Sequence, residues 1–276
     1  MASFQFNSVT PHPQLLPYVA KMWVFESTGQ LPSQDMKLIV PNANFKLTLT
    51  CKNGMVAQID GKTFVQQENQ LSLSGLIDSP VILDPKDDAP TSTIIIEFNP
   101  LGVYRLFRLS YAEVKNQILV LPELLGKCAA ELQVKLADVP NLAGKLHVLQ
   151  HFLIAQLNVS NPDPIYDYCI NRITDAKGLI TVAQLEKATG YSARWLHRKF
   201  TEHLGTGAKN MAEIIRFKQY YLAFSSGAES HNLKEQIYKY YYDQSHFIKA
   251  FKRFTGYTPT DLQNSMNELA TQHYTS

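Results

Sequence analysis

Residues 240–259 read YYYDQSHFIKAFKRFTGYTP. Asp243 stands where a helix would begin, because a carboxylate can accept the free backbone N–H groups of a first turn. Gly256 stands where that helix would stop, since glycine takes the left-handed conformation that ends helices. Between the two, a rotation of about 100° per residue gathers Phe247, Phe251 and Phe254 on one side. Ser245, Ile248, Lys249 and Lys252 fall on the other. One short helix thus carries an apolar stripe that would dock it and a basic face that would look outward.

The same design stands 51 residues earlier, in GYSARWLHRKFTEHLG at 190–205. Tyr191 falls on Tyr242, Ser192 on Asp243, Leu196 on Phe247, Arg198 on Lys249, Phe200 on Phe251 and Gly205 on Gly256. Further upstream, Thr181 falls on Asn232, again two helix-capping residue types. Each copy reads as cap, short helix, tight turn, cap, longer helix and glycine stop, which is a helix-turn-helix. In the first copy Leu196, Phe200 and Leu204 form the stripe. Arg194, His197 and Arg198 lie within about 100° of one another on the far side. Arginine can fork onto guanine O6 and N7, and lysine reaches the same acceptors, in a major groove wide enough for a helix. A basic amphipathic surface helix is common by itself; two copies sharing caps, stripe and stop are not.

Residues about 175–262 resemble the DNA-binding domain of the AraC/XylS family of bacterial transcription regulators. The resemblance rests on GYSARWLHRKF (190–200), EIIRF (213–217) and DQSHFIKAFKRFTGYTP (243–259). It implies two helix-turn-helix units joined by a long helix, and AKNMAEIIRFKQYYLAFS (208–225) fits that connector. At about 1.5 Å per residue the connector spans roughly 27 Å. Successive major grooves on one DNA face lie roughly 34 Å apart, so either the DNA bends or one unit binds less deeply. The resemblance assigns base reading to Arg194, His197 and Arg198 in the first unit and to Gln244, Ser245 and Lys249 in the second; Gln244 rests on it alone. Lys252 is assigned to the phosphate backbone. Arg216 reads as a helix-packing or ion-pairing residue and the YYY aromatics as core or turn packing. Two departures from the family pattern carry expectations. Tyr240 and Tyr241 replace the glycine of the second turn, and a side chain at positive φ costs about 1–2 kcal/mol; with LKEQIYKY (233–240) in place of a helix with a small alanine, the second unit is expected to be less rigid. GTGAK (205–209) in place of Gly-x-x-Pro is expected to loosen the start of the connector.

The rest of the chain is of a different character. Residues 36–99 contain short β-branched runs, KLIVPNANFKLTLTC, MVAQIDGKTFVQQ, QLSLSGLI, SPVILD and STIIIEFN, punctuated by Asn-Gly, Asp-Gly and Pro. That pattern predicts a sandwich or barrel. After Asn99-Pro100 the sequence reads as helices, LGVYRLFRL, PELLGKCAAELQVKLAD and PNLAGKLHVLQHFLIAQL, and VSNPDP (159–164) reads as a linker. The expected fold is therefore α+β in two domains. Residues 1–160 would form a β-rich, cupin-like barrel or sandwich with a helical segment, resembling in architecture the sensor domain of many such regulators. Residues 165–265 would form the all-α double helix-turn-helix domain.

Bulk properties agree. The chain has 276 residues, 45% of them hydrophobic, with a net charge of +2. Residues 1–159 carry 12 Lys+Arg against 13 Asp+Glu, whereas residues 160–276 carry 14 against 11, a weak lean of the second part toward a polyanion. The first residues lack a cationic start followed by an apolar run, and no stretch approaches a membrane span. Cys51, Cys128 and Cys169 are far apart with no CxxC spacing, which suits a reduced, cytoplasmic protein without disulfides or zinc.

These features favour a sequence-specific, cytoplasmic transcription regulator, activator or repressor, with double-stranded DNA as partner, RNA polymerase as a further one, and a small-molecule effector or a protein partner at the N-terminal domain. A cupin-type metalloenzyme would need clustered His and Glu, and residues 36–99 contain no histidine. His147 and His151 lack the third ligand of a catalytic site, and none of the cysteines sits in an activating context. No catalytic residue, metal ligand or cofactor is therefore assigned. The alternative function is a protein-binding adaptor that has lost specific DNA binding. Leu142, Leu146, Leu149 and Leu153 recur at spacings of a short coiled-coil seam; the stripe either packs on its own β-rich domain or, as the family resemblance favours, helps to build a weak homodimer.

Overall fold

The computed structural model describes residues 4–31, 37–107, 109, 111–157, 161–225, 235 and 237–263. The N-terminal part is a two-sheet sandwich. Strands β1 (Phe4–Ser8), β2 (Val19–Ser27), β4 (Phe45–Lys52), β7 (Leu71–Ser74), β9 (Thr91–Phe98) and β10 (Ile118–Val120) form a six-stranded sheet in the order β1-β2-β9-β4-β7-β10. Strands β3 (Leu38–Ile39), β5 (Met55–Ile59), β6 (Lys62–Gln66) and β8 (Val81–Pro85) form the second, in the order β3-β8-β5-β6. All paired strands run antiparallel. Every run expected between 36 and 99 contains a strand. The sheet also recruits β1 and β2 from before residue 36 and β10 from the segment read as helical, so the sandwich is larger than its β-branched centre.

The period-2 alternation of β4 and β9 divides two different environments. Phe45, Leu47, Leu49, Ile94, Ile96 and Phe98 face the helices in one continuous core. The opposite face, toward the second sheet, holds a smaller aromatic cluster around Trp23, Phe25 and Ile95. Beside it lies a polar patch in which Thr48 pairs across strands with Ser72, and Thr50 with Thr93.

Asn99 ends the sheet and caps α1 (Pro100–Leu106), its side chain accepting from the N–H groups of Leu101 and Gly102. The segment read as one helix from 122 to 138 breaks at Gly126, φ 65°, into α2 (Leu121–Leu125) and α3 (Lys127–Asp138). Helix α4 (Leu142–Leu157) lies on the main core: Leu149 and Leu153 are 1% and 0% exposed, and Leu142 and Leu146 pack against the same cluster. The leucine stripe is therefore internal packing and is not a free dimer seam. His147 and His151 sit on its outer side with ring centroids 4.2 Å apart.

Helix α5 (Pro164–Asp175) opens the C-terminal part, followed by α6 (Val182–Thr189), α7 (Ala193–Leu204), α8 (Ala208–Ser225), α9 (Gln244–Thr255) and α10 (Pro259–Gln263). The main core runs without a break from Leu15 to Leu262, so the two parts share it. Tyr166 on α5 donates to the Pro100 carbonyl at 3.2 Å and stacks edge-on against Tyr104 of α1.

Candidate nucleic-acid interface

In the first unit Thr181 caps α6 in a capping box with Gln184, and Gly190 turns the chain in the left-handed region at φ 75°. Ser192 then caps α7 by accepting from the Trp195 N–H at 3.3 Å, and Gly205 ends it at φ 76°. In the second unit Asp243 caps α9 through the His246 N–H at 2.7 Å, and Gly256 ends it at φ 80°. Three of the four caps read from the repeat are thus in place; Asn232 lies outside the described residues.

Both apolar stripes are buried. Leu196, Phe200 and Leu204 are at most 1% exposed, and Phe247, Phe251 and Phe254 at most 2%. The second stripe meets α8, with Phe217 against Phe254 at 4.8 Å and Tyr220 against Phe247 at 4.5 Å between centroids. Docking these stripes turns the opposite faces outward. Arg194, His197 and Arg198 are exposed on α7, and Gln244, Ser245, Lys249 and Lys252 on α9. Every residue assigned to DNA by the sequence therefore lies on the outer surface of one of the two helices. Tyr191 stacks on Trp195 at 4.0 Å beside the first face.

The departures from the family pattern resolve differently from expectation. Neither Tyr240 nor Tyr241 has positive φ, so the second turn carries no such strain. Both are buried, at 3% and 6%, as the core reading requires, whereas Tyr242 is 93% exposed. The start of the connector is tight. A Cβ on Gly207 would come within 2.5 Å of the His197 ring, and one on Gly205 within 2.4 Å of the Tyr111 carbonyl oxygen. Thr206 is buried and accepts from Asn210 at 2.9 Å. The glycines thus replace proline stiffness with close packing. Arg216 lays its stem over Gly178, where a Cβ would meet its Cγ at 2.8 Å, a packing role.

Sequence reasoning missed the side chains that hold the two reading helices in place. Asp163 caps α5 through the Tyr166 N–H and also accepts from Lys199 at 2.7 Å and His203 at 3.1 Å, both on α7. Burial pushes its carboxyl upward, but the bonds from Lys199, Tyr166 and His203 outweigh it, and the pKa falls to about 2. Asp78, 6% exposed in the β7–β8 loop, does the same for α9 through Arg253 at 2.9 Å. Asp78 has no local signal, and Asp163 has one only as the cap of α5; Lys199, His203 and Arg253 are brought to them by the fold.

Between the sandwich and the helical part lies a cleft of about 240 Å³ bordered by Asn42, Asn44, Asn171, Thr174, Lys218 and Gln219. Lys218 belongs to α8 and feels the charge of Glu97 on β9; burial drives its pKa down, and Glu97 opposes that shift.

Residues 185–265 match the family model of a helix-turn-helix domain, and residues 7–120 match that of a domain of unknown function (DUF6597). No curated protein matches. Among solved structures, the chain is similar to ToxT from Vibrio cholerae at 11% identity, over 88% of this chain and 97% of that one, with a TM-score of 0.47. The Cnp3 cupin domain of Schizosaccharomyces pombe is 10% identical over 35% of this chain and 64% of its own, TM-score 0.27. A predicted oxalate decarboxylase of Thermotoga maritima is 6% identical over 35% and 80%, TM-score 0.28. Superpositions this loose transfer no property of those proteins. The matched sequence model, the doubled cap-stripe-stop pattern and the two exposed basic helices agree on one assignment: residues 185–265 are a helix-turn-helix domain.

Proposed function

We propose that the protein is a sequence-specific DNA-binding transcription regulator that sets α7 and α9 into adjacent major grooves. The observation that carries this reading is the pairing of two docked helices that each turn a cluster of DNA-suited groups outward: Arg194, His197 and Arg198 on α7, and Gln244, Ser245, Lys249 and Lys252 on α9. Arg194, His197 and Arg198 read bases from α7. Gln244, Ser245 and Lys249 do so from α9, and Lys252 holds a phosphate. The adaptor alternative lost its main motive when the second turn proved free of positive-φ strain. A salt-dependent gel shift on duplex DNA tests the choice. A regulator gives binding that weakens linearly in log–log form as salt rises; an adaptor gives no shift even at low salt.

An effector is placed at the N-terminal domain. Two features support it: the interdomain cleft that Lys218 of α8 lines, and the hydroxyls of Thr50, Ser72 and Thr93, buried on the inner sheet face without a hydrogen-bond partner among the described residues. Repeating the gel shift with fractionated cell metabolites tests for it. RNA polymerase as a partner and a cytoplasmic location go with the regulator reading, whether it activates or represses. A weak homodimer is proposed on the ground that two linked domains gain avidity, since the leucine stripe no longer argues for it; sedimentation at high concentration tests that.

A further inference from the structure

The apolar stripe of α9 docks it on α8 and turns the opposite face outward, but hydrophobic burial is non-directional and leaves the finer setting of the helix to polar contacts on its flank. Direction comes from Arg253. It stands four residues after Lys249, one helical turn away on the same side of the helix. Its guanidinium donates to Asp78 at 2.9 Å and to Glu213 of α8 at 3.0 Å. Asn210 of α8 donates to the same Asp78 oxygen at 2.9 Å and accepts from Arg253. From its own domain Asp78 takes Lys115 at 2.7 Å and Asn116 at 2.9 Å, and its N–H donates to Asn116. Two residues on, Pro80 Cγ lies 3.7 Å from the place a Cβ would take on Gly256, the stop of α9. The β7–β8 loop therefore grips the side and the end of the second reading helix.

We propose that Asp78 is a positioning residue for DNA reading: its buried carboxylate, held by the N-terminal domain, fixes the finer setting of α9 through Arg253 and so sets the aim of Lys249 and the spacing between the two half-sites the protein accepts. This rests on the regulator reading above. Replacing either residue removes their mutual contact while Asp78 keeps Lys115 and Arg253 keeps Glu213, so either side of the contact serves as a handle. Arg253 is 44% exposed, so Arg253→Gln introduces no buried charge.

The test uses the full chain with Asp78→Asn, Arg253→Gln and the double variant, and two measurements. The first is affinity for duplexes carrying both half-sites with the spacing altered by one or two base pairs. Wild type prefers one spacing; each single variant loses that preference by about tenfold, about 1.4 kcal/mol, and the double variant loses no more than either. Loss of a phosphate contact alone would weaken every spacing alike and leave the ratio intact. The second measurement is hydrogen exchange in α9 without DNA. Each variant raises exchange there about tenfold relative to α7. Faster α9 exchange in a protein that binds no specific duplex keeps the anchoring and removes the regulator reading. Unchanged exchange together with an unchanged spacing ratio overturns the proposal, and should Asp78→Asn fail to fold, Arg253→Gln alone decides between the same outcomes.

Discussion

The Asp163 carboxylate lies 2.7 Å from the Lys199 ammonium. The residue that caps the first helix of the C-terminal part also holds its first reading helix. Cap and anchor are one group, so the linker between the two parts of the chain is fixed at its C-terminal end by the helix it delivers.

That arrangement has a pH signature. The Asp163 pKa is lowered to about 2 from an ordinary 3.8. A depressed carboxyl stabilises the folded state above its unfolded pKa, and the contribution disappears as pH falls through the folded one. Between about pH 4 and pH 2 the wild-type chain loses this increment. Asp163→Asn should be less stable at neutral pH and show a shallower loss in that window, read by chemical denaturation at a series of pH values. Parallel curves for the two proteins would remove Asp163 as an anchor.

Arg198 is exposed on the face opposite Leu196 and Phe200. Arg198→Ala should cost about 1–3 kcal/mol on the preferred duplex and relax one base position. Unchanged affinity and unchanged base preference would show that this face does not read DNA.

Lys252 stands one turn beyond Lys249 near the end of α9 and is exposed. Lys252→Ala should weaken binding to all duplexes alike and reduce the salt slope by about 1. A change of base preference instead would move Lys252 from the phosphates to the groove.

Phe200 and Phe251 are each 0% exposed. Their replacement by alanine should cost about 3–5 kcal/mol, from lost transfer energy and the cavity left behind. Chemical denaturation of the full chain measures it, and an unshifted transition would contradict the packing of the stripes.

The C-terminal domain was legible because its signals are local: caps bond within three residues, stripes recur at helical spacing, and glycine marks the stop. Ser192, Asp243, Gly205 and Gly256 behave as their types dictate. What was not legible depends on distant partners. Strand β2, VAKMWVFES, shows little alternation because Trp23 and Phe25 enter the sandwich while Met22 and Val24 enter the helical core, so both faces are apolar. The leucine spacing of α4 left packing on its own domain and a seam to a second chain both open, since periodicity does not say what covers a stripe; the structure places it in the core. The anchoring roles of Asp78 and Asp163 gave no sign, their partners lying 175 residues away at Arg253 and 40 at His203.

Selection of bound duplexes from a random pool by the full-length chain at low salt tests the central claim most directly. The account predicts enrichment of a two-part motif with half-sites about one helical turn, or about 10 base pairs, apart, one half losing definition in Arg198→Ala and the other in Lys249→Ala. A folded protein that enriches no sequence, or a single half-site untouched by either substitution, would contradict it.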